Sequence, residues 1–327
     1  MKAAAEFFAG MGLMRAALER CNIDTVYAND IDHTKARLYR ENWGDGELEV
    51  ADIRDVSGAH LPAVDVATAS FPCVDLSLAG NRAGLQGERS GTVFEFFRVL
   101  GEMRNLPEIV VLENVVGFLS ANDGQDFATV LAALEALGYG VGHICINAAA
   151  FVPQNRVRVF VVGIQGATPQ IPQPPTPQPD LRLRSVIEDD AAWWGPQRLG
   201  NFLVSLSDVQ SARVEAYQHG EPGCYGAYRR TRCGSAVWEV RADELAGTLR
   251  TTQGGSGRQA VLRAGEGDVA ARWMNVREYA ALQGAESLSY ESVSENQAMY
   301  ALGDAVCVPA VEWLARNCLL PSAAHAA

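Results

Sequence analysis

Four side chains in the first half of the chain have the types and spacing for covalent chemistry: one cysteine, one acid and two arginines, each beside a buried apolar run. Cys73 stands in Ser70-Phe71-Pro72-Cys73-Val74-Asp75-Leu76-Ser77, directly after the expected strand 64–69. Pro72 stiffens the approach, and a cysteine at the carboxyl end of a sheet strand lies where α/β active sites lie. A buried structural thiol is the competing reading. Gly80, Gly84, Gly87 and Gly91 space the following segment like a mobile loop, suited to a lid. Forty residues on, Val110-Val111-Leu112-Glu113-Asn114-Val115 places an acid at the end of an apolar strand. Such an acid needs a partner; it often has a raised pKa and can donate a proton. A carboxylate capping the next helix would fit the same spacing. Gln154-Asn155-Arg156-Val157-Arg158 then enters another apolar run, and its alternation sets two guanidinium groups on one face of an extended segment. Two aligned cations can orient a carboxylate and hold a ligand oxygen; an exposed strand start reads the same way.

A second group of residues has the pattern of a nucleoside-binding edge. Glu6-Phe7-Phe8-Ala9-Gly10-Met11-Gly12 follows a strand and opens a helix, where glycines allow a sharp turn and the helix start offers free N–H groups. Asp30 ends the second strand about twenty residues later, the place for an acid that binds ribose hydroxyls. Asp52, followed by Ile53, can accept from an adenine amino group. Each acid alone reads equally as a solvated loop carboxylate; the three elements in this order suggest an adenosine-containing ligand.

Strand–helix alternation must position these groups. The expected strands are residues 3–8, 25–28, 64–70, 109–113 and 157–164, with helices over 13–20, 34–42 and 127–137. That pattern is an α/β fold around a parallel sheet. Pro-Gln-Ile-Pro-Gln-Pro-Pro-Thr-Pro-Gln-Pro-Asp at 169–180 is a stiff linker and the clearest domain boundary. The expected organisation is a catalytic and cofactor-binding domain at 1–168, the linker, a second domain at 181–263, and a segment 264–327 returning to the first. Helices are expected at 275–283, 295–301 and 306–319, the last interrupted by Pro309.

Composition narrows the class. Of 327 residues 48% are hydrophobic and 20% charged, which describes a folded chain and not a disordered one. Apolar runs such as 109–112 and 159–164 are too short to span a bilayer, so no membrane association is expected. The apolar N-terminus suits a buried strand better than a signal peptide. Seven cysteines without paired spacing, and no zinc-like Cys/His cluster, favour a reduced cytoplasmic protein with no metal. Net charge −12 argues against a nucleic-acid partner until the chain is divided. Residues 1–168 carry 13 basic and 21 acidic side chains, but residues 180–263 carry 11 and 10, every base an arginine. Arg229, Arg230 and Arg232 are the densest cluster. Arg binds phosphate or a guanine edge in two places at once.

Phe8-Ala9-Gly10-Met11-Gly12, Pro72-Cys73 with Ser77, Glu113-Asn114-Val115 and Gln154-x-Arg156-x-Arg158 together resemble the ordered motifs of the cytosine-5 DNA methyltransferase family, bacterial or phage type. The similarity resumes at Asn275-Val276-Arg277-Glu278 with Leu282-Gln283-Gly284, and ends at Gly303-Asp304-Ala305-Val306. The resemblance implies a Rossmann-like S-adenosylmethionine-dependent methyltransferase fold with a small, irregular target-recognition domain. It implies a thiolate of Cys73 attacking carbon 6 of a flipped-out cytosine in duplex DNA, Glu113 holding the ring nitrogen and exocyclic amine, Arg158 the carbonyl oxygen, and Arg156 fixing the acid. S-adenosylmethionine, leaving as S-adenosylhomocysteine, would lie on Phe8, Gly10, Gly12, Asp30, Ile31, Asp52, Ile53, Pro72, Val93, Asp304, Ala305 and Val306.

The family's variable recognition region would be 181–263, with Gly247-Thr248-Leu249-Arg250 resembling its base-supporting Thr-Leu pair. Ser77, Thr248, Arg250, Arg229, Arg230 and Arg232 are the expected DNA contacts. The flexible run 254–257 follows them. The chain would act as a monomer near the nucleoid, with a restriction nuclease as partner where the modification serves restriction. Glu6 and Asp304 depart from the family's usual Asp and Asn. The alternatives are a tRNA cytosine-5 methyltransferase, since one branch acts on RNA, and a non-catalytic DNA-binding relative.

Overall fold

A computed structural model describes residues 2–72, 91–232, 235–251 and 257–320, and the side chains at 231–236 are not described. Cys73, Ser77, the Gly80–Gly87 part of the expected lid, the Arg232 side chain and most of the 254–257 run lie outside these residues.

The chain forms two compact units: residues 1–146, 157–175 and 310–327 make the first, and 147–156 with 176–309 the second. In the first unit, β1 (Lys2–Phe7), α1 (Leu13–Glu19), β2 (Ile23–Asp30), α2 (His33–Trp43) and β3 (Leu48–Val50) alternate. They are followed by β4 (Val66–Ala69), α3 (Thr92–Glu102), β5 (Ile109–Val115), α4 (Gln125–Ala136), β6 (Tyr139–Asn147) and β7 (Val157–Gln165). One seven-stranded sheet results, in the order β3-β2-β1-β4-β5-β7-β6. β1, β2, β3, β4 and β5 pair in parallel, and β7 runs antiparallel to β5. Strands covered on both faces read as unbroken apolar runs; all four residues of β4 are buried.

The chain winds outward from β1 to β3, then crosses back to place β4 on the other side of β1. In open α/β sheets, such a reversal of strand order is where ligands bind, at the carboxyl ends of the strands. Helix α3 buries Val93, Phe96, Phe97, Val99 and Leu100. Phe96 meets Phe7 edge-on, with ring centroids 5.1 Å apart.

The second unit contains α5 (Pro196–Val204), α6 (Asp208–Gln218), β8 (Gly223–Arg232), β9 (Ser235–Val240), β10 (Gln259–Gly265), β11 (Asp268–Trp273), α7 (Val276–Gln283) and α8 (Glu295–Asp304). Its antiparallel sheet has the order β11-β10-β8-β9. Phe202, Val214, Trp238, Val240 and Leu262 form its core, with Trp194 and Trp273 packed against them. Helix α9 (Val308–Leu314), continued by a turn through Leu319, carries the chain back to the first unit.

Residues 264–309 belong to the second unit, and the chain rejoins the first at Ala310. The reason is pairing and charge. β10 and β11 are neighbours in register from Ala260↔Trp273 to Gly265↔Asp268, so the hairpin cannot be divided at 263. Arg272 on β11 then meets Glu278 on α7 through two bonds of 2.5 and 2.8 Å, both side chains buried. Glu278 also closes a capping box with Asn275 and accepts from the Glu188 backbone N–H. Breaking one half of a buried pair strands the other charge. Glu278→Gln is therefore expected to lower stability by about 3–5 kcal/mol, read as the shift in a urea unfolding midpoint.

One stretch, Glu295–Leu319, is long and apolar enough by composition to cross a membrane, which run-length reading missed; 67% of its most apolar window is buried inside the protein. It spans α8 and α9, and core packing accounts for its hydropathy.

Candidate active site

At the end of β1 the backbone turns through three left-handed residues in five: Phe8 (φ 56°), Gly10 (φ 60°) and Gly12 (φ 84°). Gly10 needs its glycine for conformation only, since a Cβ there would find its nearest neighbour, Lys35 Cδ, at 3.8 Å. Gly12 needs it twice over, because a Cβ would also overlap the Trp43 indole. Asp30, at the end of β2, reaches this loop: its carboxylate accepts from the Gly10 and Asp32 N–H groups, each at 2.7 Å. Burial pushes its pKa up, while Lys35 and the two N–H donors pull the other way. Beside it Ile31 is 62% exposed, an apolar side chain left in water next to a nucleoside-type acid.

Asp52 caps a short 3-10 turn at Ile53–Asp55 and is gripped by the Arg54 side chain at 2.6 Å, which holds its carboxyl below the usual range. Ile53 and Val93 are core residues beneath the loop, Phe8 packs against that core, and Pro72 is exposed.

Glu6, on β1, has no counterpart in the expected site. It is buried, it accepts from the Arg15 N–H of α1, and its Oε2 has no hydrogen-bond partner among the described residues. Burial, partly offset by Arg15, raises its pKa from 4.5 to about 8. The native state thus binds the proton more tightly than the unfolded chain. Its contribution is full below pH 4.5 and is lost as pH rises through about 8. Glu6→Gln should flatten that decline: thermal unfolding midpoints of wild type should fall relative to the variant across this window.

The remaining groups gather at the edge where β4, β5 and β7 meet. Ala69 pairs with Leu112, so the chain leaving β4 toward Cys73 and the acid ending β5 emerge side by side. Asn114, buried next to Glu113, donates to the Phe71 carbonyl at 3.1 Å and pins the backbone two residues before Cys73. The sequence marked Asn114 as a member of Glu113-Asn114-Val115, but not as a tie to the backbone before Cys73. Because β7 is antiparallel, its start lies at the same edge: Arg158 is in register with Val115, and Phe160 with Glu113. Arg158 Nε sits 3.1 Å from Glu113 Oε1, both side chains largely buried.

Arg158 makes an ion pair with Glu113. Arg156, buried in the second unit, donates to the carbonyls of Leu249 (2.9 Å), Gly303 (3.2 Å) and Ala305 (2.6 Å). Gln154 bonds the Leu282 carbonyl at 2.6 Å and the Leu249 N–H at 3.0 Å. Gln283 bonds the Leu302 carbonyl at 2.6 Å, and Thr248 the Asn155 carbonyl at 2.7 Å. Four distant motifs are thereby tied into one knot. Gly303 fits only as glycine, for a Cβ would overlap the Arg250 carbonyl. Asp304 is exposed, Ala305 half-buried and Val306 buried. Arg229 and Arg250 are exposed; Arg230 pairs with Glu239 at 3.1 Å. Among the described residues no group of three His, Cys, Asp or Glu is arranged to hold a metal ion.

The S. pombe Dnmt2 methyltransferase has the same fold, with a TM-score of 0.66 at 19% identity over 96% of this chain and 97% of that one. With the sheet order and the turn after β1, this defines a Rossmann-like methyltransferase fold. The sequence matches the family of C-5 cytosine-specific DNA methylases over residues 3–320, and the chain belongs to that family. It is similar to the type II methyltransferase M.BanI of Aneurinibacillus aneurinilyticus, 35% identical over 173 residues, 51% of this chain and 39% of that protein. It also resembles the type II methyltransferase M1.ScrFI of Lactococcus lactis subsp. cremoris, 28% identical over 317 residues, 96% of this chain and 77% of that protein. With M.BanI, M.Bsp6I and M.DsaV the match spans between 39% and 51% of the relative's length.

Proposed function

We propose that this protein transfers a methyl group from S-adenosylmethionine to carbon 5 of a cytosine flipped out of a short, specific duplex DNA sequence. The observation that carries the reading is the shared edge of β4, β5 and β7, from which the Cys73 segment, Glu113 and Arg158 all issue. Carbon 5 of cytosine is a weak nucleophile until a group adds at carbon 6. The Cys73 thiolate would form that bond, and the ring's electrons would move toward the ring nitrogen. Glu113 would hydrogen-bond the ring nitrogen and the exocyclic amine, favouring cytosine over thymine, which lacks the amine. Arg158, already bound to Glu113, would hold the ring carbonyl oxygen. After methylation a base removes the carbon-5 proton and the Cys73 sulfur leaves, restoring the aromatic ring.

The residues fit the donor. Asp30 would take the ribose, the exposed Ile31 the adenine face, and the Phe8–Gly12 turn the amino-acid end. Asp52 would offer the adenine edge a carboxylate already steadied by Arg54. When bound, S-adenosylmethionine supplies an electrophilic methyl group. Arg229, Arg230, Arg232 and Arg250, with Ser77 and Thr248, would serve the DNA, and the protein would work as a monomer in the cytoplasm beside the nucleoid. A cognate nuclease would complete a restriction–modification pair.

Incubation with methyl-labelled S-adenosylmethionine and either duplex DNA or tRNA tests the reading. Label in DNA at 5-methylcytosine is expected; label confined to tRNA, or none in either, would overturn it.

A further inference from the structure

The two arginines of β8 whose side chains are described do not stand alike, and one of them is held in place. Successive residues of a strand point to opposite faces. Arg229 is in register with Trp238 of the core, and Arg230 lies on the other face with Tyr228, which pairs directly with Glu239 of β9. On that face the Arg230 guanidinium is fixed twice. Its Nε is 3.1 Å from Glu239 Oε2, and its carbon lies 5.2 Å from the centroid of the Tyr228 ring, with Nη2 3.4 Å from the Tyr228 hydroxyl. Glu239 is well shielded, while Arg230 is 47% exposed, so the buttress is inside and the arginine outside. Arg229 and Arg250 are exposed as well and make no ion pair among the described residues.

These two settings suit different contacts. An exposed, unneutralised arginine gains most from a phosphate, which needs charge and little direction. An arginine half-neutralised by an acid gains less there. With Nε on Glu239 and Nη2 also near the Tyr228 hydroxyl, the guanidinium plane is held, and Nη1 and the second Nη2 hydrogen are left to meet a partner. A fixed pair of parallel donors is what the O6 and N7 atoms of guanine require in the major groove.

We propose, on the footing of the DNA reading above, that Arg230 reads one guanine of the recognition sequence, with Glu239 and Tyr228 as its positioning residues, and that Arg229 contacts phosphate. No other base offers two acceptors side by side at that edge.

Sequencing of chemically converted DNA from cells expressing wild type, Arg230→Ala, Glu239→Gln and Arg229→Ala gives the methylated motif of each. Wild type is expected to require guanine at one position. Arg230→Ala should lose that requirement alone, its discrimination there falling by roughly 5- to 150-fold, the worth of one bidentate pair. Glu239→Gln should weaken the same position in part, and it carries the test if the alanine variant is not obtained folded. Arg229→Ala should lower methylation evenly across sites, and binding of the purified variant to a duplex should lose about one unit of its logarithmic salt slope. Unchanged base preference in both Arg230→Ala and Glu239→Gln, or an even loss at all sites in Arg230→Ala, would overturn the assignment and leave the enzymatic reading standing. Absence of cytosine methylation by wild type would instead overturn the DNA reading, and this inference with it.

Discussion

Replacing Cys73 with serine is expected to remove methyl transfer, with kcat falling on the order of 10^4-fold or more. The expectation follows from ionisation and not from size. A cysteine keeps a reactive thiolate fraction at neutral pH, whereas a serine hydroxyl needs a strong base to become a nucleophile. Binding should survive, because the loop after β1, Asp30 and the arginines of β8 are untouched. Single-turnover transfer of labelled methyl, measured alongside DNA and S-adenosylmethionine dissociation constants, separates the two. Loss of kcat with both constants within a few-fold of wild type is expected. Equal loss of binding would mean that residue 73 supports the fold and not the chemistry.

Glu113→Gln is expected to lower kcat by roughly 10^2- to 10^4-fold, the range associated with a positioned acid or base. The amide has the size of the acid and can still accept from an exocyclic amine. It cannot deliver a proton to the ring nitrogen as the adduct forms, and it loses the charge that meets Arg158 at 3.1 Å. The β5–β7 ladder that carries both residues has seven paired positions from Ile109↔Ile164 to Val115↔Arg158, so the backbone should hold. Pre-steady-state kinetics on duplex DNA checks this: a slowed chemical step with an unchanged unfolding midpoint is expected. A variant within a few-fold of wild type would remove Glu113 from the reaction.

The parts of the fold legible in the sequence were those with an aliphatic signature. β1, β2, β4, β5 and β7 are short apolar runs, and they fall within a few residues of where periodicity sets them. Helix α3 was passed over because the glycines before it drew the reading toward a loop, although its buried phenylalanines at 96 and 97 lie on one face. β6 was hidden by Gly140 and Gly142, which lie tightly against Ala167 and Ile171. The sheet of the second unit was missed because Trp, Tyr, Gly and Arg fill it where Val and Ile are usual.

In the candidate site the side chains could be named, but their partners could not. Arg156 and Arg158 share a strand-like spacing, which suggested a shared task. Three hydrogen bonds of Arg156 go to backbone carbonyls, and a carbonyl acceptor leaves no trace in residue type. Glu6 was read only as a departure from the family's usual aspartate. Its burial and its unmatched oxygen depend on how closely α1 packs over β1, which periodicity does not convey.

The covalent step is the centre of the proposed mechanism, and trapping it is the most direct test. Duplex DNA with 5-fluorocytosine in place of cytosine blocks proton removal from carbon 5, so an adduct that forms cannot resolve. Incubated with wild-type protein and S-adenosylmethionine, such DNA is expected to give a species stable to denaturing electrophoresis, with the cross-link mapped to Cys73 by peptide mass. The adduct should be absent from Cys73→Ser. No adduct with the wild-type protein on DNA that it methylates in the unfluorinated form, or an adduct mapped to another residue, would contradict the mechanism.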